Sequence, residues 1–291
     1  GIELIYRSKG TDPSRVLMAG GFPPLGRAVR EGEGWRVSGD FRFGSGIMYA
    51  DHVVCTALQM ENGVPVMDGA LPLMRTFVVP RDQVRVDDNW QVSGLEGTGS
   101  CDYHLDDVWL PDALTFVSSH PHPVRGRSLY TLPLLSVASA PHSGFALGVG
   151  RRALEEIEGI ATARHRLASS APLAQRPAFQ QNYARARTRL DAAQSLVNLT
   201  ADSLHDSHMN GTLNINHRAA FSAATTNAYE SALDAAQVAF RAAGGAAIYR
   251  SVRLQRCLRD IQAGAQHLVP GDESWERVAQ VWLGLGEPSM L

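Results

Sequence analysis

The chain has 291 residues, 27 Lys and Arg against 29 Asp and Glu, and a formal net charge of −2. That balance excludes a basic nucleic-acid surface and a polybasic membrane patch. With 44% hydrophobic and 19% charged residues, the composition is that of an ordinary globular protein long enough for two domains.

Lys9 is the only lysine, so nearly all positive charge is arginine, whose planar fork suits phosphate and carboxylate. Cys55, Cys101 and Cys257 are widely spaced and odd in number, which suits a reducing cytoplasm and gives neither a disulfide framework nor a zinc pattern. No stretch reads as a signal peptide or a membrane span; Leu132–Gly150 comes nearest and reads as a buried helix interrupted by Pro133 and Pro141.

Residues 1–14 are a short remnant or linker. From 15 to 111 the pattern is β: Trp35 and Val37 alternate with polar neighbours, Val53–Leu58 and Thr76–Val79 are near-continuous apolar strands, and Tyr103 to Leu110 is closed by Pro111. Turns are expected at Pro23-Pro24, Glu61-Asn62-Gly63 and Asp87-Asp88-Asn89. Short strands at this spacing predict a small β-barrel or sandwich. Residues 112–131, with Pro121, Pro123 and Gly126, read as a linker, and 132–291 as a helical bundle.

Within the bundle, Leu147, Leu154, Ile157 and Ala161 form one apolar stripe, and Tyr183, Leu190, Ala193, Val197, Ala201 and Leu204 a longer one. Asn216 is the expected N-cap of a third helix running to about Ala243. Gly244-Gly245 then ends it, where backbone must come close to something or take positive φ. A fourth helix carries Arg256, Arg259, Asp260 and His267, with Leu254, Leu258 and Ile261 on its buried face. Asp260 and His267 share a face if that helix runs unbroken. Pro270-Gly271 stops it, and Asp272 is placed to cap a short final helix.

The Gly-Gly turn, the arginine and the Arg259-Asp260 pair resemble the end of the catalytic domain in the acyl-CoA dehydrogenase superfamily. The dehydrogenases follow their Arg-Asp with a Tyr-Glu-Gly whose glutamate removes the substrate α-proton. Here Gln266-His267-Leu268 stands in that segment, with no carboxylate. Arg-Asp, six residues, then His is similar to the oxygenase components of two-component flavin monooxygenases, the group containing p-hydroxyphenylacetate hydroxylase and dibenzothiophene monooxygenase. The β half resembles the same superfamily: Gly34–Gly39, Phe43-Gly44-Ser45-Gly46 and Ala50–Val53 look like the entry to its middle domain, and Gly97–Ser100 with Asp106–Pro111 like its exit strand.

The resemblance implies an α+β fold: a middle β-barrel domain followed by a C-terminal four-helix bundle, without the N-terminal helical domain of roughly a hundred residues, an ordinary domain size, that the family carries. It implies a flavin between barrel and bundle, reduced FMN or FAD supplied by a separate flavin reductase, O2 as co-substrate, and a small aromatic or heteroatom-bearing substrate. A homo-tetramer or dimer in the cytoplasm is expected, with no nucleic acid or membrane partner.

Ser45, a residue type common in turns, matches the serine that hydrogen-bonds flavin N5 in these oxygenases. His267 is either a helix-end histidine favoured by the dipole or an active-site group that donates to an oxyanion or accepts a proton. Arg164 and Arg166 stand near an arginine that reaches the flavin phosphates in the family, and Gly244 and Gly245 offer backbone N–H groups to a phosphate. Arg259 and Asp260 read as supports that pair across the bundle. His120, His122, His142, His205 and His208 raise the question of metal, but only His205 and His208 share a helical face and no third ligand follows at a recognisable spacing. Two other readings stay open: an acyl-CoA dehydrogenase or related flavin oxidase, for which Glu230 is the one helical glutamate to nominate as base, and a flavin-free scaffold on the same fold.

Overall fold

The computed structural model describes residues 16–118, 128–163 and 172–288, together with Ile5. It divides into two compact units, Gly1–Val92 with Glu96–Pro123, and Ser93–Leu95 with Val124–Leu291.

The first unit is an eight-stranded mixed sheet. Its strands are β1 (Met18–Glu31), β2 (Gly34–Gly44), β3 (His52–Glu61), β4 (Val64–Pro65), β7 (Met74–Pro80), β8 (Arg85–Val86), β9 (Cys101–Pro111) and β10 (Thr115–Val117). A separate two-stranded hairpin joins β5 (Met67–Asp68) to β6 (Leu71–Pro72). The order is β10-β7-β3-β1-β2-β9-β8, with β4 on β3; β1 and β3 are parallel and the other pairs antiparallel.

Among the described residues no closed barrel forms, contrary to expectation. The path ends on β10 and β8, three and two residues long, which are too short to complete a ring of ladder bonds. The sheet nevertheless curls on itself, because Trp35 on β2 meets Phe77 on β7 edge-on at 6.3 Å with two strands between them. Trp35, Val37, Phe41, Val53, Cys55, Phe77, Tyr103 and Leu105 fill the enclosed face. The Trp35 indole donates to Asp112 at 2.7 Å and lies under the Arg75 guanidinium at 4.3 Å.

Two details differ from the sequence reading. Pro23-Pro24 is not a turn: β1 runs through it with register shifts between Gly20 and Gly26. The Tyr103 hydroxyl accepts from Gly21 N and donates to Val54 O, which satisfies backbone groups freed by the irregularity. Thr115–Val117, inside the expected linker, is a strand paired with Arg75–Phe77.

The second unit is helical. Its helices are α1 (Leu134–Ala163), α2 (Pro177–Met209), α3 (Ile215–Ala243), α4 (Arg253–Gly264) and α5 (Glu273–Trp282). The four-helix bundle is thus three long helices plus two short ones. The stripes read from sequence are its core: Leu147, Leu154, Ile157, Leu190, Ala193, Val197 and Leu204 are all buried. Burying each Leu, Ile or Val side chain stabilises by roughly 1.5–3 kcal/mol.

The caps correct two expectations. Asn214, not Asn216, starts α3: its side chain accepts from Asn216 N and His217 N while His217 Nδ1 accepts from Asn214 N, a reciprocal capping box. Asp272 precedes α5 without a side-chain capping bond. On α4 the buried residues Leu254, Cys257, Ile261 and Gly264 recur every three to four positions and face the other helices.

Candidate active site

α4 ends at Gly264, and Ala265–His267 turn away from the helix. Asp260 and His267 therefore do not share one helical face, as an unbroken helix would require. The turn is held by Gln266 N donating to Ala263 O and His267 N to Gly264 O. His267 Nδ1 accepts from Val269 N at 3.2 Å, which leaves the ring proton of the neutral form on Nε2.

The His267 ring lies against a second imidazole. His142 of α1 is 4.2 Å away between centroids, with planes tilted by 33°. His142 Nδ1 is 2.9 Å from the hydroxyl of buried Tyr229 on α3. Pro141 stands inside α1 immediately before His142; it has no N–H to give to the Val137 carbonyl one turn back. Burial of His142, reinforced by the neighbouring His267 charge, pulls its pKa down to about 4. Burial also lowers His267, although the ring keeps an exposed edge, and burial pushes the Tyr229 phenol up. At neutral pH the cluster is two neutral imidazoles and a protonated phenol, able to hold or pass one proton without building charge.

Arg259 and Asp260 brace the end of the same helix. Arg259 donates to Ser93 O at 2.5 Å and to Gln255 Oε1, and Asp260 Oδ1 accepts from Leu95 N at 2.7 Å. Both are supports, and their partner is the 93–95 segment rather than another helix. Arg256 is exposed.

Ser45 lies in the first unit, exposed on the turn after β2, where Gly46 takes φ 78°. Its hydroxyl is 2.8 Å from that of buried Ser100, which is 2.8 Å from Thr98 Oγ1. Gly46 N also donates to Thr98 O at 2.7 Å. The chain of hydroxyls fixes the Ser45 oxygen while its remaining valences face solvent.

Gly244 caps α3 at φ 62° and ψ −145°, a region open essentially to glycine alone. Gly245 is exposed, and a Cβ there would meet nothing within 4 Å, so a ligand can approach its backbone. Arg164 and Arg166, like His120 and His122, lie outside the described residues. Glu230 is exposed and accepts from the Trp275 indole at 2.8 Å. His208 is bonded to Thr131, and the described residues contain no group of three or more His, Cys, Asp or Glu placed to hold a metal. No described helix is long and apolar enough to cross a membrane.

Sequence reasoning reached His142 only as one of several histidines and missed Tyr229. A proline directly before a histidine in an otherwise apolar helix was the one local signal for the pair.

Residues 140–270 match the family described as acyl-CoA dehydrogenase, C-terminal domain. The solved structure of XiaF from Streptomyces sp. in complex with FADH2 and glycerol has TM-score 0.86 at 22% identity, over 98% of this chain and 72% of that one. The fold is therefore acyl-CoA dehydrogenase-like, with a mixed sheet followed by a helical C-terminal region. Indole-3-acetate monooxygenase of Pseudomonas putida is 30% identical over 284 residues, covering 97% of this chain and 71% of that protein. The oxygenase component of FADH(2)-dependent resorcinol hydroxylase from a Rhizobium species is 26% identical over 288 residues, covering 93% and 69%. This chain belongs to the family of flavin-dependent monooxygenase oxygenase components, and it spans about seven-tenths of the length of those two relatives.

Proposed function

We propose that this chain oxygenates a small aromatic or heteroatom-bearing substrate with O2 and reduced FMN or FAD delivered by a separate reductase, one oxygen atom entering the substrate and the other leaving as water. The observation that carries the reading is the neutral imidazole pair at the end of α4, where a thioester dehydrogenase needs a carboxylate base. A bound reduced flavin supplies two electrons and activates O2. Taken singly, residues present suit such a group: the exposed Ser45 hydroxyl is a donor for a ring nitrogen, and the exposed Gly245 backbone leaves room for a phosphate, whereas the Gly244 N–H is already given to Arg241 O. Arg164 and Arg166 are the proposed phosphate partners.

His267 is the proposed catalytic group. Its Nδ1 is engaged by Val269 N, so Nε2–H is the donor toward a substrate hydroxyl or developing oxyanion. Ser100 holds Ser45 in one orientation from behind. The dehydrogenase reading loses its nominated base, because Glu230 is exposed and bonded to Trp275. By the same family reading, the working form is a cytoplasmic homo-tetramer or dimer.

The test supplies reduced FMN or FAD anaerobically, adds 18O2 with small phenols and indoles, and measures the label in product by mass spectrometry. One labelled oxygen per product molecule is expected. Oxidation of the flavin with peroxide alone and no labelled product from any substrate overturns the proposal, as does reduction of the flavin by an acyl-CoA without oxygen.

A further inference from the structure

The proposed reaction gives His267 a task and leaves His142 and Tyr229 without one. His267 is exposed, and one ring bond, from Val269 N to Nδ1 at 3.2 Å, orients its imidazole. A ring held by a single long bond swings about χ2, a torsion whose wells are broad and nearly two-fold. A half-turn exchanges each nitrogen with a carbon and carries the Nε2–H donor to the wrong side. The second constraint on the ring is the face of His142, 4.2 Å away between centroids at a tilt of 33°. Among the described residues no other aromatic ring lies against His267.

His142 is fixed in its turn. Tyr229 is 3% exposed, and among the described residues its hydroxyl has one partner, His142 Nδ1 at 2.9 Å. A buried phenol with one partner gives its proton to that partner, because an orphaned O–H away from water is costly. His142 Nδ1 therefore accepts, and the neutral ring carries its own proton on Nε2. That Nε2 has no partner among the described residues, yet it is not sealed from solvent.

Tyr229 also packs beneath the turn that carries His267. The Gly264 carbonyl accepts from His267 N, and a Cβ on Gly264 would stand 3.3 Å from Tyr229 Cε1 and 2.8 Å from Phe145 Cε1. Phe145 follows His142 by three residues on α1, and its ring meets Tyr229 at 6.1 Å. Only a glycine at the end of α4 lets the two rings come this close. Elements from α1, α3 and α4 thus converge on the dyad of His142 and Tyr229.

We propose that His142 is the positioning residue of His267: Tyr229 locks the His142 ring and its tautomer, and the His142 face holds the His267 ring with Nε2–H in one direction. A functional side chain is oriented by packing and by hydrogen bonds from its supports, and here there is one of each. The proposal rests on His267 as the catalytic group for what the orientation achieves; the orientation itself is measured without any reaction.

The test labels the histidines of the full chain with 15N and records imidazole spectra near neutral pH for parent, Tyr229→Phe, His142→Ala and His142→Phe. In the parent both rings are expected in the Nε2–H form, each Nδ1 resonating as a hydrogen-bonded acceptor. Tyr229→Phe keeps the ring volume and should move His142 Nδ1 toward its unbonded shift. His142→Ala should move His267 Nδ1 the same way and speed hydrogen exchange at the Val269 amide. His142→Phe, which keeps a flat ring, should restore both. Product formed per flavin oxidised should fall roughly tenfold in His142→Ala, the low end for loss of an orienting group, and recover in His142→Phe.

A parent whose His142 carries its proton on Nδ1 overturns the proposal, as does a His267 signal that His142→Ala leaves unmoved. Undiminished product from a loosened His267 ring does so too. Should His142→Ala fail to fold, Tyr229→Phe decides, and an unmoved His142 Nδ1 in that variant is equally fatal. The expected shifts in a protein that oxygenates nothing leave the brace standing and remove the monooxygenase reading instead.

Discussion

His142 and His267 face each other at 4.2 Å between ring centroids, and Tyr229 closes the group with a 2.9 Å bond to His142 Nδ1. Two imidazolium ions at that separation repel strongly in a half-buried setting. The pair therefore behaves as one titrating unit that accepts at most one proton over the working range.

Replacing His267 with Ala is expected to uncouple the reaction. Loss of a positioned acid or base costs on the order of a hundredfold or more in the step it serves, so product formation should fall by about that factor while oxidation of the reduced flavin continues. Peroxide released per flavin oxidised, measured beside product, checks this; unchanged product yield would remove His267 from the mechanism.

The depressed histidines also make a stability prediction. His142 has a folded pKa of about 4, against an ordinary value near 6.5, and His267 is shifted in the same direction. Between those values the unfolded chain binds more protons than the folded one, so stability rises with pH through that window. The contribution of His142 is fully present above about pH 6.5 and is lost as pH falls toward about 4, with a limit on the order of 3 kcal/mol from the shift and less after allowing for its partial exposure. Melting temperature measured from pH 7 to pH 5 should fall more steeply for the parent than for His142→Gln; parallel curves would count against the pairing.

His104 in the sheet has the opposite sign. Its ring lies between Asp40 at 2.5 Å and Asp87 at 2.8 Å, and bonding to Asp40, then to Asp87, raises its pKa above the usual value. Its contribution is fully present below about pH 6.5 and is lost as pH rises through the raised folded pKa. A proton NMR titration should show this ring titrating above the free histidine value and His142 below it, and Asp40→Asn should move His104 back toward that value.

Ser45→Ala is expected to leave stability within about 0.5 kcal/mol, as for most exposed substitutions, because Ser100 keeps its bond to Thr98. Product per flavin oxidised should nevertheless fall, with peroxide rising to match. A normal product ratio in this variant would reduce Ser45 to a turn residue.

Gly94 provides a check on the brace beneath α4. It is buried, and a Cβ there would stand 2.2 Å from the Arg259 carbonyl oxygen, a backbone atom that cannot swing aside. Gly94→Ala is expected to destabilise by about 1–3 kcal/mol, the usual cost of overpacking, and to loosen the Leu95–Asp260 bond. Chemical denaturation measures the first; an unchanged midpoint would mean that the 93–95 segment is not packed on α4.

The helices were legible from one strand of information. Leu147, Leu154 and Ile157, or Leu190, Ala193 and Val197, announce their buried faces by spacing alone, because 3.6-residue periodicity is local. The apolar run Val53–Leu58 likewise marks a strand buried on both sides. Closure of the sheet was not legible, since whether β8 meets β10 depends on curl and strand length across the whole unit. The end of α4 was misjudged for a related reason: nothing between Asp260 and Pro270 breaks a helix outright, and the turn at Ala265–His267 is fixed by bonds to Gly264 and Val269.

What the sequence determined by itself was the order of elements, the apolar faces, and an imidazole two residues before Val269 where a carboxylate would define a different chemistry. What only the tertiary structure decided was company. His142 and His267 are 125 positions apart, His142 and Tyr229 are 87 apart, and no pattern in one neighbourhood refers to another. Contacts between helices depend on how whole faces pack, and packing sums many weak local preferences that no single stretch of chain contains.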